Sequence, residues 1–86
     1  SALPTSTGSS SPEINKGSVM KAAKQAYTKE YDSETAEAAD FGSYEVKGNT
    51  VVFEVYNAGY RTYDKVVVIV GNDGKATSAK AEYMGR

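Results

Sequence analysis

Three short turn signals divide the second half of this chain, and they constrain its fold more than any other feature. Gly48-Asn49, Asn57-Ala58-Gly59 and Asn72-Asp73-Gly74 each interrupt a run rich in β-branched and aromatic residues. Glycine and asparagine reach the left-handed backbone region that tight hairpins require, so each run folds back on the one before it. Connections this short cannot hold the crossover that a parallel pair of strands needs. Strands are predicted over residues 44–46, 51–56, 60–70 and 76–83. They form a four-stranded antiparallel β-meander in chain order.

One stretch invites a different reading. Residues 65–78, KVVVIVGNDGKATS, present an apolar run followed by two glycines, a lysine and hydroxyl residues. A phosphate-binding loop places four residues between its glycines, follows its lysine with Ser or Thr, and opens a helix. Here Gly71 and Gly74 enclose only Asn72 and Asp73, and Lys75 precedes Ala76. The residues beyond alternate small-apolar with polar, as a strand does. The stretch is a hairpin turn, with Gly74 at its left-handed position.

Ahead of the strands the periodicity is helical. Ser18 is placed to cap a helix beginning at Val19, and Met20, Ala23, Tyr27 and Tyr31 follow at spacings of three and four. Lys21, Lys24 and Lys29 fall on other faces. Asp32-Ser33 is a weak point and a new cap, after which residues 34–39 continue the helix toward a stop at Gly42. The fold class is α+β: one N-terminal helix, broken near Asp32, packed on the meander. Residues 1–12, SALPTSTGSSSP, hold only Ala2 and Leu3 as bulkier apolar side chains and read as a flexible leader or tether. The folded domain is then 13–86. A Ser/Thr/Gly/Pro leader is common behind a cleaved secretory or lipoprotein signal, which sets the expectation of an extracytoplasmic protein with a possible membrane tether.

The proposed loops place Phe53 opposite Tyr63, and Val67 opposite Ala79. Tyr44, Val46, Val51, Phe53 and Val55 then share the helix-covered face with Tyr63, Val67 and Ile69, and with Ala79, Ala81 and Tyr83. The other face carries Glu45, Glu54, Thr62, Asp64, Ser78, Lys80 and Glu82, as a solvated face should. It also carries Val52, Tyr56, Tyr60, Val66, Val68 and Val70, which is unexpected for such a face and marks them as the candidate interface. The third strand outruns the second, so part of its edge is expected to lack a neighbour and to invite a protein partner or a second copy.

Little in the composition points to catalysis. The chain has no His and no Cys, which removes the commonest general base, the usual zinc ligands, a thiol nucleophile and any disulfide. Asp64 and Glu82 fall opposite one another in this register, but no pocket-forming insertion surrounds them, and they read as two solvated carboxylates near Lys80. Asp32, Glu34, Glu37 and Asp40 lack the spacing of a calcium loop. No catalytic, metal or cofactor residue is assigned, and the chain is read as non-enzymatic. A net charge of −1 with both signs spread along the chain argues against nucleic-acid binding. No apolar run approaches the ~20 residues of a membrane span.

The stretch VVFEVYNAGYRTYDKVVVIVGNDGKATSAKAEY resembles the first half of extracytoplasmic FMN-binding domains, which have a glycine-containing hairpin, a V-x-V-x-V strand and then DGK-T-x-x-x-V. The resemblance covers about half the chain. The flavin-attaching Ser/Thr-Gly-Ala-Thr signature of that family has no counterpart, since Ala76-Thr77-Ser78-Ala79 departs from it, so no cofactor residue is carried over. The helix-then-meander layout is also similar to that of cystatin-like inhibitors and small outer-membrane lipoprotein domains. The expected function is a small exported interaction domain that uses an exposed sheet face or strand edge. The alternatives are a flavin-type half-domain completed by dimerisation, or an inhibitor docking through its loops.

Overall fold

Asn15, not Ser18, starts the helix. Its Oδ1 accepts a hydrogen bond from the Ser18 N–H at 3.0 Å, and its carbonyl accepts the first helical bond from Val19 at 3.0 Å. Helix α1 runs Lys16–Glu30, with Lys29 in its last turn, where the helix dipole favours a cation. The Ser18 hydroxyl serves a different purpose: it accepts from the Ala76 N–H at 3.0 Å and ties the helix start to the last strand. The break falls at Asp32, as the sequence suggests. Its side chain accepts from the Thr35 N–H at 2.7 Å and caps α2, Ser33–Ala38. These elements belong to a computed structural model that describes residues 13–85. The expected leader over 1–12 lies outside the described residues.

Four strands follow: β1 Asp40–Lys47, β2 Thr50–Asn57, β3 Thr62–Val70 and β4 Ala76–Gly85. They form one antiparallel sheet in the order β1-β2-β3-β4. Gly42 does not end a helix; α2 stops at Ala38, and Gly42 is the extra residue of a β-bulge in β1. The first hairpin turns at Gly48-Asn49, with Gly48 at φ 61° and Lys47 paired with Thr50. The last turns through Asn72-Asp73-Gly74, with Gly74 at φ 83°. That turn docks on the helix start, where the Gly74 carbonyl accepts from the Asn15 N–H at 2.9 Å.

The middle hairpin departs from expectation, and the departure turns one strand over. Asn57 pairs with Thr62, so the loop holds the four residues Ala58 to Arg61. Its left-handed residue is Arg61, at φ 57°, not Gly59. Phe53 therefore stands opposite Val66 instead of Tyr63. An odd slip moves every side chain of a strand to the other face. Val66, Val68 and Val70, placed in the candidate interface by the expected register, are buried in the core beside Val51, Phe53 and Val55. Tyr63, Val67 and Ile69 face out instead. A second odd slip follows at the β3–β4 hairpin, where a bulge at Thr77 sets Val68 opposite Ala79. Two odd slips cancel, which is why Ala79 and Ala81 keep their expected place on the helix side.

Helix α1 lies across β3 and β4 and buries Val19, Ala23 and Tyr27, one residue per turn on the i, i+4 row. The edge expected to be free is not. Strand β3 is paired on both sides, and where β2 ends the Val70 N–H still donates to the Asn49 carbonyl at 2.8 Å. Strands β1 and β4 are the edges. Among the described residues no helix is long and apolar enough to cross a membrane.

Candidate functional site

Two places gather polar chemistry, one inside and one outside the sheet. Inside, the turned-over β3 brings Asp64 into the core at 1 % exposure. It is not opposite Glu82; its partner across the strands is Tyr83. Tyr27, from the last turns of α1, donates its hydroxyl to Asp64 Oδ2 at 2.5 Å. Tyr31, one turn on, donates its hydroxyl to Asp64 Oδ1 at 3.0 Å, with Oδ2 at 3.2 Å. The i, i+4 spacing sets both hydroxyls over one carboxyl group. Burial, and then the bond to Asp64, push the Tyr27 hydroxyl far above its ordinary value, against a weaker downward pull from Asn57. The same two causes push Tyr31 up to about 12.

Asn57 completes this end. Its Oδ1 accepts from the Tyr60 N–H at 3.1 Å and orders the β2–β3 loop, while its buried Nδ2 has no hydrogen-bond partner among the described residues. Tyr60, from the candidate interface, is 63 % exposed on that loop and sets its ring 5.8 Å from that of Tyr31. Asp64 and Tyr27 are closed off from solvent. The cluster therefore clamps α1 to β3 and offers no bound molecule a way in.

The outer face has the opposite character. Thr50, Val52, Glu54 and Tyr56 of β2 stand opposite Ile69, Val67, Lys65 and Tyr63 of β3. Val52, Tyr56, Val67 and Ile69 are half-buried, and Tyr63 is 45 % exposed. The Tyr56 and Tyr63 rings lie 5.1 Å apart, inclined at 54°. Charge lies between and beside them: Glu54 and Lys65 separate the tyrosines from Val52 and Val67, Lys65 pairs with Glu82 at 3.7 Å, and Lys47 pairs with Glu45 at 3.5 Å. Exposed pairs like these contribute little to stability.

Two bulges bend the sheet at the tyrosine end. One inserts Gly42 into β1 and the other inserts Met84 into β4, so both edge strands gain twist beside the Tyr56–Tyr63 pair. A hollow of ≈ 410 Å³ opens there, lined by Asp40, Gly42, Ser43, Glu54, Tyr56 and Tyr63. Only Val52 and Tyr56 of the six candidate interface residues lie on this face. Tyr63, Val67 and Ile69 were missed because the expected register pointed them inward, and the bulges have no sequence signal beyond Gly42. Among the described residues, no three His, Cys, Asp or Glu side chains gather closely enough to hold a metal ion.

No family model matches this chain, and no curated protein or solved structure matches it either.

Proposed function

We propose that this is a non-enzymatic interaction domain that binds a protein partner, or a second copy of itself, through the outer face of its sheet. One observation carries the reading. Among the described residues the sheet has a helix on one side only, yet the two central strands carry apolar and aromatic side chains on the open side: Val52, Val67 and Ile69 with the Tyr56–Tyr63 pair, interrupted by Glu54 and Lys65. An antiparallel sheet with one solvated face ordinarily shows polar residues there. Exposed apolar side chains gathered on one face mark contact surfaces, and aromatic residues are the side chains enriched in them. The edges β1 and β4 flank this face, and β1 is exposed along most of its length.

Site-specific photo-crosslinking tests the reading in the cells that make the protein. A benzophenone side chain at Glu45, on the outer face, is expected to yield adducts of discrete mass. The same group at Lys24, exposed on helix α1, is expected to yield none. Equal labelling from both positions, or none from Glu45, sinks the proposal.

A further inference from the structure

Glu54 lines three adjoining hollows on the outer face, of ≈ 410, ≈ 200 and ≈ 350 Å³. The largest joins it to Asp40, Tyr56 and Tyr63. Met84, the bulged residue of β4, walls the other two. Neither Glu54 nor Asp40 forms an ion pair within 4 Å among the described residues; of the lysines on this face, Lys65 pairs with Glu82 and Lys47 with Glu45, and Lys80 stands opposite Val67, outside the residues that line these three hollows. The hollow thus combines two carboxylates that have no cation partner among the described residues with two tyrosines, on a bend made by two bulges.

We infer that this hollow receives an arginine side chain from a basic segment of the protein partner, an inference that rests on the outer face being the binding face. An anion would meet two like charges. An aliphatic side chain would strip water from Asp40 and Glu54 and return no hydrogen bond. A guanidinium satisfies both parts of the site: its plane stacks on a tyrosine ring, and its N–H fork presents paired donors to a carboxylate. A lysine ammonium supplies the charge without the planar stack or the fork, so arginine is the preferred occupant.

The full chain, labelled with nitrogen-15, is titrated with a capped tetra-arginine peptide and separately with a capped tetra-lysine peptide. The amides of Ser43, Glu54 and Tyr63 are expected to shift together, with tetra-arginine at least about threefold tighter. Glu54→Gln should weaken tetra-arginine by about two- to fivefold at low salt. Tyr63→Leu should abolish the preference for arginine over lysine. Both positions are exposed, and a preserved amide spectrum verifies that each variant folds. Asp40→Asn is a second charge-removing variant should Glu54→Gln alter the sheet. Equal affinity for the two peptides overturns the inference, as do shifts centred on Glu34 and Glu37 of α2, or an affinity indifferent to Glu54→Gln. If Glu45 crosslinks a partner while tetra-arginine fails to bind, the interaction reading stands and the arginine assignment falls.

Discussion

Val67 and Val68 are neighbours of identical chemistry with opposite surroundings. Val68 has no exposure, under α1 and between Val51 and Ala79; Val67 sits half-buried on the open face between Val52 and Lys80. The residues at 65–70, Lys-Val-Val-Val-Ile-Val, carry almost no alternation from which to read a face. In such a run, position relative to the two neighbouring strands decides whether a valine is core or surface. The inner face is where stability resides, and the outer face is left open among the described residues.

The sharpest way to break that contrast is to place one charge on each side of β3. Val68→Lys buries an unpaired ammonium and should cost about 4 kcal/mol or more, comparable to the whole stability of a domain this small. Val67→Lys should cost under about 1 kcal/mol, because its side chain can reach water. Urea midpoints of the two variants decide the matter: similar losses would mean that the register of β3 is wrong.

The second test compares two turns. At Gly74 a Cβ would lie 1.8 Å from the Glu13 carbonyl oxygen, and φ is 83°, so Gly74→Val should cost about 3 kcal/mol or more by pushing the hairpin off the helix start. Gly48 also has positive φ, 61°, but nothing lies within 4 Å of its Cβ position. Gly48→Ala should cost only about 1 kcal/mol of backbone strain. Equal costs would mean that the last hairpin does not dock on residues 13–15.

The third and smallest effect concerns the Asp64 clamp, which only the inner face possesses. Tyr27→Phe leaves Asp64 with Tyr31 alone and should cost about 1–3 kcal/mol. In alkali the folded protein favours both hydroxyls protonated, because burial and Asp64 raise them above the ordinary tyrosine value of 10.0. Their contribution is complete below pH 10 and is lost as pH rises through about 12, where Tyr31 ionises. Phenolate absorbance should show the ionisation of both hydroxyls delayed and coincident with loss of near-ultraviolet dichroism. A titration that finishes near pH 10 with the fold intact would remove the clamp.

Much of the architecture was legible before any coordinates, and for a local reason. The helix–meander order follows from turn residues and from periodicities of 3.6 and 2, which act within a few residues of the chain. Asp32 capping a second helix, Gly48-Asn49 turning the first hairpin and Gly74 taking a left-handed φ are local effects of this kind. The β1–β2 faces were legible too, because a two-residue turn leaves one register open.

The loop after Asn57 was not. Asn-Ala-Gly offers a three-residue turn, yet the Asn57 side chain holds the Tyr60 N–H, and Arg61 accepts the left-handed conformation that Gly59 could have taken more cheaply. What favours the four-residue loop lies far away in the chain: Val66, Val68 and Val70 buried beneath α1, and Asp64 brought under Tyr27 and Tyr31. Those gains exist only once helix and sheet have met. The sequence by itself thus determined which residues turn, which extend and in what order the strands lie, because short-range backbone preferences are strong. The tertiary structure alone decided which side of β3 became core and which was left outside it, because a uniform valine run is equally apolar on both faces and only long-range packing breaks the tie.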